Sequence, residues 1–99
     1  MPLSWEDIAD KVGSSFSVAL DDGAAYPLQL TDAARLPQGA TARQDRQAFT
    51  LSFNGPGDRM LVQRTHLLRH AELGEQEIFL VPVGRNASDG RFLYQAIFN

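Results

Sequence analysis

At 99 residues and 10.9 kDa, with 43% apolar and 21% charged residues, the chain has the size and balance of one folded domain rather than a disordered segment. It contains no cysteine, which excludes disulfides and thiolate metal sites, and no apolar run near the roughly 20 residues a membrane-spanning helix needs. The net charge of −3 hides a basic middle: Arg35, Arg43, Arg46, Arg59, Arg64 and Arg69 face only Asp45 and Asp58 between residues 35 and 70, a distribution read as solvated strand faces and a loop rather than a polyanion site.

The first element is a helix expected over residues 4–12. Ser4 is placed to cap it with Asp7 at N3, Leu3 and Ile8 occupy the staple positions, and Gly13 suits the residue beyond its end. Trp5, Ile8, Ala9 and Val12 would form its apolar stripe. The acidic "MPLSWEDIADKVG" lacks the basic and apolar regions of a signal peptide, so the expected location is cytoplasmic.

After Gly13 the period falls from 3.6 to 2. Phe16, Val18 and Leu20 alternate with small or polar residues, "DDGAA" is a turn, and Leu28 and Leu30 resume one face of a second strand. Pro27 cannot donate to a ladder and suggests an edge there. Residues 37–47 carry no large apolar side chain and read as the longest loop, holding Arg43 and Arg46. Phe49, Leu51 and Phe53 give the cleanest alternation in the chain, closed by the turn "NGPGD".

"MLVQRTHLLRH" has helical propensity, but Val62, Thr65 and His66 and the preceding glycine-rich turn favour a strand. Ile78 to Val83 is apolar on both faces, as a strand covered on both sides should be, with the N-terminal helix as the expected outer cover. Pro82 then requires a bulge or a strand end before Gly84. Asp89-Gly90 signals a hairpin, and Tyr94, Ala96 and Phe98 return on one core-facing side. The expected fold is mainly β, a small antiparallel barrel or sandwich of about six strands with one short N-terminal helix, in one domain over residues 1–99.

Chemistry is sparse. His66 and His70 stand four apart, a spacing that permits joint zinc binding only on a helix, and the glutamate of HExxH is missing because Leu67 follows His66. On a strand the two rings would lie about 13 Å apart, too far to share an ion. His70 beside Glu72 reads more simply as a turn-capping histidine. Ser14, Ser15 and Ser17 lack a nucleophile elbow, and "GPGD" lacks the helix-borne Lys and Ser/Thr of a phosphate loop. Nucleic-acid binding would need exposed aromatics interleaved with basic residues, and Phe49 and Phe53 read as buried. No cofactor is expected.

The second half resembles a family of small uncharacterised bacterial proteins. The resemblance rests on Phe49 to Pro56 (F-x-L-x-F-x-G-P), His70 to Gly74 (H-x-E-L-G), Phe79 to Gly84 (F-L-V-P-V-G) and Tyr94 to Asn99 (Y-x-A-[IV]-F-N). Such proteins occur near genes for phage-tail-collar-like fibre proteins. What the resemblance implies is an accessory or structural role in a tail-like or fibre assembly, and so a location within an assembled particle, with no catalytic residue carried over.

The expectation is therefore a non-enzymatic module that binds another protein, a fibre-like partner or a second copy of itself, with no membrane and no nucleic acid. Its contact residues are expected at a strand edge after Pro27, represented by Gln29, and on the neighbouring loop, represented by Arg43 and Arg46. The alternative is a ligand-binding or catalytic barrel using His70, Glu72 and nearby arginines.

Overall fold

The computed structural model describes residues 4–35 and 48–98. A short helix α1 (Trp5–Ile8) precedes six strands: β1 (Ser15–Ala19), β2 (Ala25–Arg35), β3 (Phe49–Gly55), β4 (Arg64–His70), β5 (Gly74–Arg85) and β6 (Phe92–Phe98). They close in the order β1-β2-β3-β6-β5-β4, and every adjacent pair is antiparallel. Of the two expected architectures, barrel and sandwich, the fold is the barrel. It consists of two three-stranded meanders, β1-β2-β3 and β4-β5-β6, joined where β3 meets β6 and where β1 meets β4.

Each meander has one long central strand, and each of these strands bends at an irregularity. In β2 the register slips between Leu30 and Asp32, so Leu28 and Leu30 point inward before the slip and Ala33 turns inward after it. In β5 it slips between Pro82 and Gly84, the bulge anticipated from the proline. Both devices let a long strand serve two neighbours at a barrel corner. Its first half pairs with one and its second half with the other.

The even-numbered residues of β1 and β2 exchange the hydrogen bonds of that ladder, since Leu30 donates to Ser14 and Leu20 to Ala24. Pro27 therefore turns its nitrogen toward β3, whose ladder with β2 begins only at Gln29–Asn54. The missing N–H costs nothing there, but the strand is no edge. Gln29 pairs with Ser15 on one side and Asn54 on the other, so the unpaired edge expected after Pro27 is absent.

The two ends of the barrel are stoppered by the segments that lead into each meander. At one end α1 begins with the anticipated capping box, Ser4 accepting from the Asp7 N–H and Asp7 answering at the Ser4 backbone. The helix stops at Ile8 rather than Val12, because the Gly13 N–H and Ser14 carbonyl are already committed to Leu30 of β2. Ile8 is fully buried, and Trp5 packs on Phe49, which stacks on Phe98 at 4.7 Å. Val12 is left exposed, so the expected four-residue stripe is a two-residue plug. This helix covers a barrel end, not the outer face of β5 as expected; Phe79 and Val83 are 50% and 55% exposed.

The β3–β4 connection closes the other end with Leu61. A chain of hydrogen bonds holds it: the Leu61 N–H donates to Tyr94 Oη at 2.9 Å, Tyr94 Oη to Tyr26 Oη at 3.0 Å, and Tyr26 Oη to the Arg59 carbonyl at 2.6 Å. The direction follows from the acceptors, because an N–H and a carbonyl terminate the chain at its two ends. Glycine is required beside it. A Cβ on Gly55 would lie 2.6 Å from the Tyr26 ring, and one on Gly57 would collide with the Gly90 carbonyl oxygen. Arg85 adds a second clamp, donating to the Gly57 carbonyl while its guanidinium covers Phe92 at 4.5 Å.

Burial, which disfavours the phenolate, holds the Tyr26 phenol well above its ordinary value of 10.0. Folding thus favours the neutral form. The stabilisation is whole below that value and is lost as pH rises through the folded-state range. Urea unfolding followed above pH 10 should show a falling midpoint, and Tyr26→Phe should flatten the fall. An unchanged slope in the variant would assign the alkaline loss to other groups.

Candidate interaction surface

The alternative catalytic reading rests on His70 of β4, the strand that also carries His66. Both point inward from β4 and are buried, at 6% and 8% exposure. His70 Nδ1 accepts the backbone N–H groups of Glu72 and Leu73, at 3.0 and 3.2 Å, and so caps the β4–β5 turn as anticipated. An Nδ1 that accepts twice carries no proton, so the proton is on Nε2, which faces Ser14 Oγ at 3.0 Å. Ser14 Oγ in turn donates to the Lys11 carbonyl.

The sequence set only Glu72 beside His70 and gave no sign of Ser14, whose contact with His70 spans 56 residues. It resembles half of a catalytic triad, but the proton runs the wrong way. A general base for Ser14 needs a free lone pair at Nε2, and here Nε2 is the donor. Glu72 meets His70 only through its backbone; its exposed carboxylate lies 3.8 Å from Lys11 Nζ. The cluster ties the segment after α1 to β1 and the β4–β5 turn. His66 likewise donates to the Val62 carbonyl, holding the chain as it enters β4. Among the described residues no three His, Asp or Glu side chains converge as metal ligands.

The outer wall is more informative. Alternation along β3 sends Thr50, Ser52 and Asn54 outward. On β6 the outward residues are Leu93, Gln95 and Ile97, and on β5 they are Phe79, Val81 and Val83. Register sets them side by side: Ser52 beside Gln95 and Gln95 beside Val81, with Thr50 beside Ile97 in the next row. None of these residues carries a charge, on a chain where charged residues make up 21% of the total. Phe79, Val83 and Ile97 are at least half exposed. Charged side chains return at the margins, with Asp32 beyond Ser52 on β2 and Glu77, Glu75 and Arg69 toward the far end of β5 and β4.

A wall that is apolar at its centre and loses its charges there has the composition of a protein-contact surface. Gln29 lies at its border, exposed and paired with Asn54. Arg43 and Arg46, the other expected contact residues, lie outside the described residues. Sequence reading missed Phe79 and Ile97 because it assigned the apolar outer side of β5 to a helix that covers something else.

No curated protein and no solved structure matches the chain. No helix among the described residues is long and apolar enough to cross a membrane. A family model described as a domain of unknown function, DUF6916, matches residues 3–98, which is nearly the whole barrel with its plug, and the chain belongs to that family.

Proposed function

We propose that the chain is a non-enzymatic contact module that binds another protein through the uncharged outer wall of β3, β6 and β5. The observation that carries this reading is the exposure of Phe79, Val83 and Ile97 on a wall without a charge. Desolvating such a wall forfeits little, whereas charges at its centre would each have to be paired or stripped of water. The resemblance to proteins encoded beside fibre genes supplies the setting, a tail-like or fibre assembly in which Gln29 adds a contact at the rim and Arg43 and Arg46 serve as further contact residues. The buried histidines, with the turn-capping role of His70, give the rival catalytic reading no free base.

A photo-crosslinking benzophenone amino acid placed at position 79 or 97 tests this in cells that make the chain. Discrete adducts of higher mass are expected from both positions and none from Asp22 or Ser88, on turns at the barrel ends. Phe79→Lys combined with Ile97→Lys should remove the partner while leaving the melting transition nearly in place, since surface substitutions usually stay within about 0.5 kcal/mol each. Equal adducts from the turn positions, or none from the wall, would sink the proposal.

A further inference from the structure

We infer that the partner contributes an extended segment that adds as a strand in the seam between β5 and β6. This rests on the protein-contact reading and specifies how the contact is made. The β5–β6 ladder runs from Arg85–Phe92 only to Val81–Gln95, although β6 continues to Phe98 and β5 extends back to Gly74. The same register carried two residues further would set Phe79 opposite Ile97, and no pairing exists there. Neither strand is frayed. β6 stays paired with β3 as far as Phe98–Phe49, and β5 with β4 as far as Gly74–His70. The seam opens between two strands that are each held from behind.

Successive residues of a strand send their backbone groups to opposite sides. Pro82, which has no N–H to give, fits if the even residues of β5 face β4, whose ladder stops at Arg64–Leu80. Glu77 and Phe79 then face the seam, and on the far bank Ile97 does, because Gln95 meets Val81. Burial agrees: Ile78, Leu80 and Ala96 are no more than 1% exposed, while Phe79 and Ile97 are 50% and 56% exposed. A strand laid here finds backbone donors and acceptors at its edge and an apolar side chain on each bank, the two requirements of recognition by strand addition. At its lower end stands Glu77, which has no ion-pair partner among the described residues, whereas Glu75 is held by Arg69 at 2.9 Å. The fitting segment is therefore extended, alternately apolar, and basic at the end that reaches Glu77.

Amide exchange on the full chain tests the seam and its occupant. In the free protein the amides of Glu77, Phe79 and Ile97 should exchange at least about 100-fold faster than those of Ile78, Leu80 and Ala96. Peptides selected on the full chain from a displayed library of random 12-residue sequences, then made synthetically, are the probe. Saturation with such a peptide should slow exchange at those three amides. Phe79→Pro, which removes a seam-facing N–H and leaves the β4 ladder intact, should weaken binding about tenfold or more. Phe79→Ala keeps the N–H and should keep the protection pattern; Ile97→Pro serves on the other bank if Phe79→Pro does not fold. Equal protection of all six amides in the free chain, binding that leaves the three seam amides unchanged, or selection that yields no peptide above the Phe79→Pro background would overturn strand addition. Crosslinks from position 79 alongside unchanged seam amides would leave the contact reading standing and remove only this inference.

Discussion

Deleting residues 94–99 is expected to leave no folded domain. β6 is the strand that joins the two meanders at their longest seam, pairing with β3 from Gly55–Phe92 to Phe49–Phe98, and it also carries the β5 ladder. The deletion removes Tyr94 and Ala96 from the core and strips the stacking partner from Phe49. It also breaks the hydrogen-bond chain that holds the β3–β4 connection over its end of the barrel. Losing one large buried aromatic alone costs about 3–5 kcal/mol, against a total of about 5–15 kcal/mol for a domain. The truncated chain should show collapsed amide dispersion in a two-dimensional NMR spectrum and no cooperative thermal transition. A cooperative melt would show that the barrel closes without its sixth strand. Tyr94→Phe dissects the same site on a smaller scale, leaving the Leu61 N–H without its acceptor at a cost of about 1–3 kcal/mol.

Ile8→Ala is expected to lose about 2–5 kcal/mol, as much as a substitution in the middle of a strand. That is a large effect for a residue of a four-residue helix, which has no stability of its own in water. The helix exists because Ile8 is fully buried in the barrel end and Trp5 packs on Phe49 beside it. Ser4→Ala should lose the capping box at about 0.5–2 kcal/mol, and Val12→Ala, at an exposed position, should change little. Urea midpoints of the three variants rank the contributions. If Ile8→Ala unfolds at the same midpoint as the parent chain, the helix is a surface appendage and the barrel end is closed by other residues.

The same contrast between Ile8 and Val12 shows what the chain specified locally and what it did not. Ser4 and Asp7 announce a helix start because a cap and its acceptor lie three residues apart, within one turn. Phe49, Leu51 and Phe53 announce an inward face because period two is a property of the strand itself. Pro82 announces an irregularity because the missing N–H is a property of the residue, and His70 caps its turn from within three residues. Each of these was legible from neighbours in the sequence.

Pairing between distant strands was not. Pro27 reads as an edge residue in isolation, yet it sits in a closed barrel because β3 and β1 both reach its strand and the β3 ladder merely starts two residues later. Phe79 reads as covered because an apolar residue in an apolar run has no local mark of exposure; where α1 docks decides the matter. Ser14 meets His70 only because β1 returns beside β4 to close the barrel. Alternation tells which side chains share a face of one strand, but the neighbour across the ladder, the seam that stays open and the wall left facing water depend on how twist and the two bulges bring six strands round to meet.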